Sequence, residues 1–225
     1  MAHAVPAGDT KARLIATAGP LFAERGYHAT SIRQVAQRAR VNVAAAHYHF
    51  GSKRALYLAV FRAHFADVRA QLRAGGASVD AAQLTRLGRP EVERLLAARL
   101  SVMLRLLLGP PPGLHGTLMQ REMSDATDAL PVIVNEFIGP MTDELKAILH
   151  RLVPALDDTA LEHAACSVIG QALFYRFCMP AVMQRWRRRA YDRALVDTLA
   201  AHVTTFSLGG LGAMARSQPG GKRRA

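Results

Sequence analysis

Apolar residues recur every three to four positions along most of the chain, and over no useful length do they alternate with polar ones. The pattern therefore predicts helices throughout and no sheet. Leu14, Ala18, Leu21 and Phe22 mark a first helix, capped by Asp9 or Thr10 and ended after Arg25 by Gly26. Ile32, Val35, Ala36 and Ala39 give a short second helix one apolar face, with Thr30 or Ser31 able to cap it. The turn Arg40-Val41-Asn42 follows, Val41 pointing inward and Asn42 capping a third helix in which Val43, Ala46 and Phe50 share a side. Lys53 then opens a longer helix with Leu56, Tyr57, Val60, Phe61, Phe65 and Val68 as its buried stripe. It runs to about Arg73, where Gly75-Gly76 stops it.

Beyond that point the pattern remains helical. Ala77 to Arg89 is small and polar, part helix at most. Pro90 opens a helix reaching Gly109, and Pro110 to Gly113 enforce a loop. Thr117 is expected to cap TLMQREMSDA, and Pro131 to begin a long helix that Pro140 must kink or divide. Asp157-Asp158-Thr159 cap a helix that is apolar around most of its circumference as far as Cys178, and Pro180 interrupts it. A basic turn, RWRRR, precedes a last helix from about Tyr191 to Phe206.

The first three helices carry the chemistry. If Val43, Ala46 and Phe50 face inward, then Asn42, Ala44, Ala45, His47 and Tyr48 face outward on a short, polar surface. One helix packed on its partner and a second left free to enter a major groove is what a helix–turn–helix requires. Charge agrees. The net charge is +12, and residues 1–54 hold Lys11, Arg13, Arg25, Arg33, Arg38, Arg40, Lys53 and Arg54 against Asp9 and Glu24. Charge alone decides little, because much of the excess lies in Arg185 to Arg189 and the C-terminal residues. Half the residues are apolar, enough to bury a core in one large domain or two small ones.

The run VNVAAAHYHFGSKRALY resembles the recognition helix and following helix start of TetR-family transcriptional regulators, and the match spans roughly Thr10 to Phe61. QREMSDATDALPVIVNEFIGP, VIGQALFYRFCMPAV and HVTTFSLGGL are similar to the C-terminal domain of the YbiH/CerR-like branch of that family. There an R-E-[M/L]-x-x-P-T motif is typical, and Ala126 stands here in the place of its proline. The resemblance implies an all-α fold: an N-terminal three-helix helix–turn–helix DNA-binding domain over 1–55, with 1–8 a flexible arm, and a larger helical ligand-binding and dimerisation domain over 56–208. Residues 209–225 read as a flexible basic tail. It implies a ligand-responsive regulator, a homodimeric repressor released from a palindromic operator by a small molecule, with no cofactor. An activator of the same architecture, or an all-helical small-molecule-binding protein, is the alternative.

Asn42, Ala44, Ala45, His47 and Tyr48 are the expected DNA-reading residues: asparagine matches adenine edges, alanine the thymine methyl, and His or Tyr a base or phosphate. By resemblance Tyr48 and Lys53 clamp the backbone, with Thr30 and Ser31 adding phosphate bonds from a helix N-terminus. His49, beside the inward face, reads as structural. His47 and His49 diverge by about 200° on a helix and make no metal pair. Glu162-His163 has no nucleophile or third group, so no catalytic site is expected. For a ligand, Arg121 and Glu122 between Met119 and Met123 either orient a small molecule or form a surface salt bridge, and Phe174, Tyr175 and Arg176 share that ambiguity. Ala160 to Phe177 and Leu195 to Leu208 are the expected dimer surface. The two cysteines, Cys166 and Cys178, are expected to be buried and unbridged, and with no signal sequence or membrane span visible a cytoplasmic protein is expected.

Overall fold

The computed structural model describes residues 10–109 and 114–217, and among them every regular element is helical. In chain order these are α1 (Thr10–Arg25), α2 (Ile32–Ala39), α3 (Val43–Phe50), α4 (Lys53–Ala74), α5 (Ala81–Arg86), α6 (Arg89–Leu108) and α7 (Leu114–Ser124). There follow α8 (Leu130–Ile133), a π-wound segment (Val134–Ile138), α9 (Gly139–Leu152), α10 (Asp158–Phe177), α11 (Met179–Trp186) and α12 (Arg193–Ser217). No single described helix is long and apolar enough to cross a membrane.

Two compact units emerge, and they do not follow the chain in a single cut. One holds the described residues up to Val68 together with Leu114–Phe137; the other holds the remainder.

In the first unit the predicted stripes of α1, α2 and α4 are all buried. Gly26 takes φ +83, a conformation that favours glycine, and so ends α1. Ser31, not Thr30, caps α2: its Oγ accepts from the Gln34 amide at 3.2 Å while Gln34 Oε1 accepts from the Ser31 amide at 2.8 Å. At the other end of α2 the chain turns through Arg40, which adopts φ 53 although it is not glycine. That left-handed backbone costs about 1 kcal/mol. Arg13 of α1 holds the turn, donating to the carbonyls of Ala39 at 2.6 Å and Arg40 at 3.2 Å.

On α4, His64 is half-buried beside Phe65, with ring centroids 5.7 Å apart. Burial pushes its imidazole down to about 4, against the opposing pull of Asp67. The unfolded chain takes up a proton near pH 6.5, whereas the folded unit refuses it until about pH 4. Stability is thus intact above about 6.5 and lost as pH falls from there to 4, by roughly 2–3 kcal/mol. Thermal melts across that window should show the loss, and His64→Leu should flatten it; an equally steep fall in the variant would assign the effect elsewhere.

The second unit packs Leu96, Leu100 and Leu104 of α6 against Leu145 and Leu149 of α9, Ala165 and Val168 of α10, and Val196 and Val203 of α12. Arg99, a buried arginine of this unit, meets Glu144 at 2.9 Å and donates to the Met141 carbonyl. The Tyr191 hydroxyl donates to the Tyr175 carbonyl at 2.8 Å, and burial pushes that phenol up to about 12.

One expectation is met and three change. Pro140 divides its helix: the chain widens into a π turn at Val134–Ile138, and α9 restarts with Pro140 in its first turn, where the missing N–H has no partner to lose. Thr117 lies inside α7, three residues after its start at Leu114. α12 does not end near Phe206 but continues through Gly209, Gly210 and Gly212 to Ser217. The buried Leu211 and half-buried Met214 pin that last stretch, offsetting the glycines' penalty of about 1 kcal/mol each. Cys166 is exposed and Cys178 only half-buried, because the outward face of α10 carries small residues as well as polar ones; both thiols are free. The expected arm at 1–8 and the proline loop at 110–113 lie outside the described residues.

Candidate nucleic-acid interface

α3 seats on its neighbours by a narrow seam. Only Ala46 is fully buried, with Val43, Ala45 and Phe50 half-buried around it. The opposite side is open. Asn42 spends its Oδ1 on the Ala44 amide at 2.8 Å, capping α3 as expected, and keeps its amide nitrogen to donate. Ala44 and His47 are exposed, the latter with Nδ1 3.4 Å from the Gly51 carbonyl. Tyr48 is 87% exposed, a large ring displayed rather than packed. His49, expected to be structural, is exposed as well: with so narrow a seam it falls outside the packed strip. Sequence reasoning placed it wrongly by treating the seam as wider than one alanine makes it.

Thr30 must be removed from the phosphate-facing set. It is 2% exposed, and its hydroxyl donates inward to the carbonyls of Gly26 at 2.8 Å and Leu21. Ser31 is exposed at the start of α2, in the same helix as the exposed Arg33, Gln34, Gln37 and Arg38. Arg25, Gln34, Gln37 and Arg38, with Leu21, line an open depression of about 300 Å³ whose polar rim suits an anion. Lys53 is half committed: Nζ donates to the Tyr27 carbonyl at 3.1 Å and sits 4.3 Å from the centre of the Tyr27 ring. An ammonium has three protons, so donors remain.

The ligand candidates part company. Arg121 and Glu122 take partners within the first unit. Arg121 donates through Nε to the Ala23 carbonyl and through Nη2 to the Glu24 carbonyl, at the end of α1. Glu122 is 1% exposed and accepts from the Tyr57 hydroxyl at 2.8 Å and from both the amide and hydroxyl of Thr127 at 3.0 Å. The pair is internal structure of the first unit, a role for which the sequence carried only the clue of charges among apolar residues. Met119 is half-buried and Met123 41% exposed on the same helix. Phe174 (56% exposed) and the half-buried Tyr175 belong to the other unit. Glu162 pairs with Lys146 at 3.0 Å beside an exposed His163. Among the described residues no three of His, Cys, Asp or Glu come together as a metal site.

Residues 14–60 match the model of the bacterial regulatory proteins of the tetR family, and residues 92–211 that of the C-terminal domain of the HTH-type transcriptional dual regulator CecR. The second match alone covers more than half the chain. The chain belongs to the TetR family. Its all-helical fold, the helix–turn–helix unit and its class as a DNA-binding transcriptional regulator follow from that membership. Among curated TetR-family proteins it is similar to the dual regulator CecR of Shigella flexneri, 27% identical over 87% of this chain and 88% of the relative. It also resembles the transcriptional activator FasR of Mycolicibacterium smegmatis, 38% identical over 27% of each chain. Among solved folds, FadR of Bacillus subtilis in complex with stearoyl-CoA superposes with a TM-score of 0.66 at 17% identity, covering 88% of this chain and 98% of FadR. AibR in complex with isovaleryl coenzyme A and operator DNA superposes at 0.62 and 16% identity, covering 88% and 97%.

Proposed function

We propose that this TetR-family chain is a cytoplasmic homodimeric repressor that reads a palindromic operator with α3 and releases it when a small molecule binds the larger domain. The carrying observation is the outer face of α3, where Asn42, Ala44, His47 and Tyr48 stand exposed, with the half-buried Ala45 at the edge of the seam that Ala46 fills. Small side chains let a helix sit deep in a groove, Asn42 retains a donor, and Tyr48 reaches furthest. Ser31 and the remaining donors of Lys53 complete the phosphate contacts, and His49 joins them from the last turn of α3. The reading domain of this proposal ends near Ala55, and the ligand-binding and dimerisation domain occupies 56–208.

The outward faces of α10 and α12 supply the dimer. Phe174, Phe177 and Phe206 are exposed there, the last at 65%, beside exposed Ala201, Thr205, Gly209 and Ala213 at four-residue spacing. Large rings next to a stripe of small residues suit helix-on-helix packing with a second copy. Two-fold pairing would set the recognition helices roughly 34–36 Å apart.

Tyr48→Ala is expected to weaken binding to a duplex containing the operator at least about tenfold, with a smaller loss for Lys53→Ala. Gel shifts on the protein's own upstream region measure both; unchanged binding by both variants would overturn the assignment of α3. Binding should also fall steeply with salt. A salt-independent, sequence-blind association would instead favour the all-helical binding protein. FasR is named an activator and CecR a dual regulator, so a promoter fusion with and without the gene decides the direction of control. A thermal-shift panel for the effector should include acyl-CoA thioesters, which two of the similar folds hold.

A further inference from the structure

Arg121, Glu122 and Thr127 are the R, E and T of the motif by which the C-terminal half resembles its branch of the family. We propose that these three residues are positioning residues for operator binding: a latch on α7 that sets the place of the DNA-reading helices from behind. The inference rests on the DNA-reading function proposed above.

The latch has two arms. Arg121 takes the carbonyls of Ala23 and Glu24 with two protons of one planar guanidinium. Those carbonyls lie in the last turn of α1, where no further helical amide is available to them. The second arm is Glu122. Its buried carboxylate accepts from Tyr57 Oη of α4 and is held in place by the Thr127 amide and hydroxyl, closing the turn after α7 even with Ala126 where proline is typical.

From Tyr57 the contacts continue without a gap. Its ring meets Phe22 of α1 edge-on at 4.8 Å and Tyr27 at 4.9 Å. The Tyr27 carbonyl and ring both engage Lys53, the first residue of α4, two positions beyond the Gly51 that ends α3. Every member of this path lies in the first compact unit. A buried carboxylate held by neutral donors adds less stability than a well-packed apolar side chain would, and what such networks supply is one defined arrangement. Here the arrangement defined is that of α1 and the start of α4 against α7, the two helices that flank the reader.

The test uses the full chain. Wild-type protein first selects a duplex from a random-sequence pool. Affinities of wild type, Arg121→Met, Arg121→Lys and Glu122→Gln are then measured by fluorescence anisotropy for that duplex and for a scrambled one, alongside amide hydrogen exchange. Arg121 is exposed, so its replacement empties no core. Arg121→Met is expected to lose about tenfold for the selected duplex but under about twofold for the scrambled one, with faster exchange over residues 23–50. Arg121→Lys, with a single ammonium in place of the fork, should recover part of the loss, and Glu122→Gln should reproduce it. An Arg121→Met protein with wild-type operator affinity and wild-type exchange overturns the latch, as does an equal loss on both duplexes. Should the wild type select no duplex, the DNA-reading function fails, and the exchange measurement alone decides whether Arg121 holds α1.

Discussion

Replacing Tyr57 by alanine is expected to destabilise the first compact unit by about 4 kcal/mol or more, a large part of a small domain's whole stability. Two losses combine. The ring is 2% exposed and packs on Phe22, Tyr27 and Phe61, so its removal opens a cavity at the meeting of α1 and α4. The hydroxyl is the side-chain donor from α4 to Glu122, and without it a buried carboxylate keeps only Thr127. Burial holds the Tyr57 phenol well above its ordinary range, so it remains a donor at neutral pH. Tyr57→Phe separates the two: it keeps the ring and removes the proton, and should cost about 1–2 kcal/mol. Urea unfolding followed by circular dichroism measures both. Equal losses for the two variants would mean that the hydrogen bond, not the packing, dominates, contrary to the geometry.

The second large effect concerns assembly. Phe206→Glu places a charge at the most exposed aromatic ring of α12, where the proposed partner helix would have to bury it. The variant is expected to be monomeric by light scattering at micromolar concentration, with its helix content kept because Phe206 is not part of the core. Operator affinity should then drop by about a hundredfold or more, since each α3 binds its half-site without the help of the other. A dimer that survives Phe206→Glu would place the interface elsewhere.

How far these features could be read without coordinates depends on whether they are periodic. Leu14, Ala18 and Phe22, or Leu56, Val60 and Phe61, recur at helical spacing and are all buried, because burial follows from the period itself. Single-residue choices are different. Thr30 and Ser31 are equally good caps by type, and only the fold shows that one hydroxyl turns inward while the other caps. Nothing about an arginine announces the left-handed backbone at Arg40, which Arg13 holds from another helix. Thr127 apart, the partners of Arg121 and Glu122 are 65 to 98 residues away, so these contacts are ones that no local pattern encodes. The run of glycines near the end of α12 misleads in the opposite direction, since propensity there yields to the burial of Leu211.

The narrow seat of α3 bears on how the protein can change over evolutionary time. A single buried alanine, Ala46, does most of the anchoring, while Ala44 and His47 to His49 stand free of the core. Substitutions on that outer side alter what is recognised without disturbing what is folded. Gene duplicates of this chain could therefore diverge to new control regions through a handful of codon changes in one eight-residue helix, each intermediate remaining a stable protein.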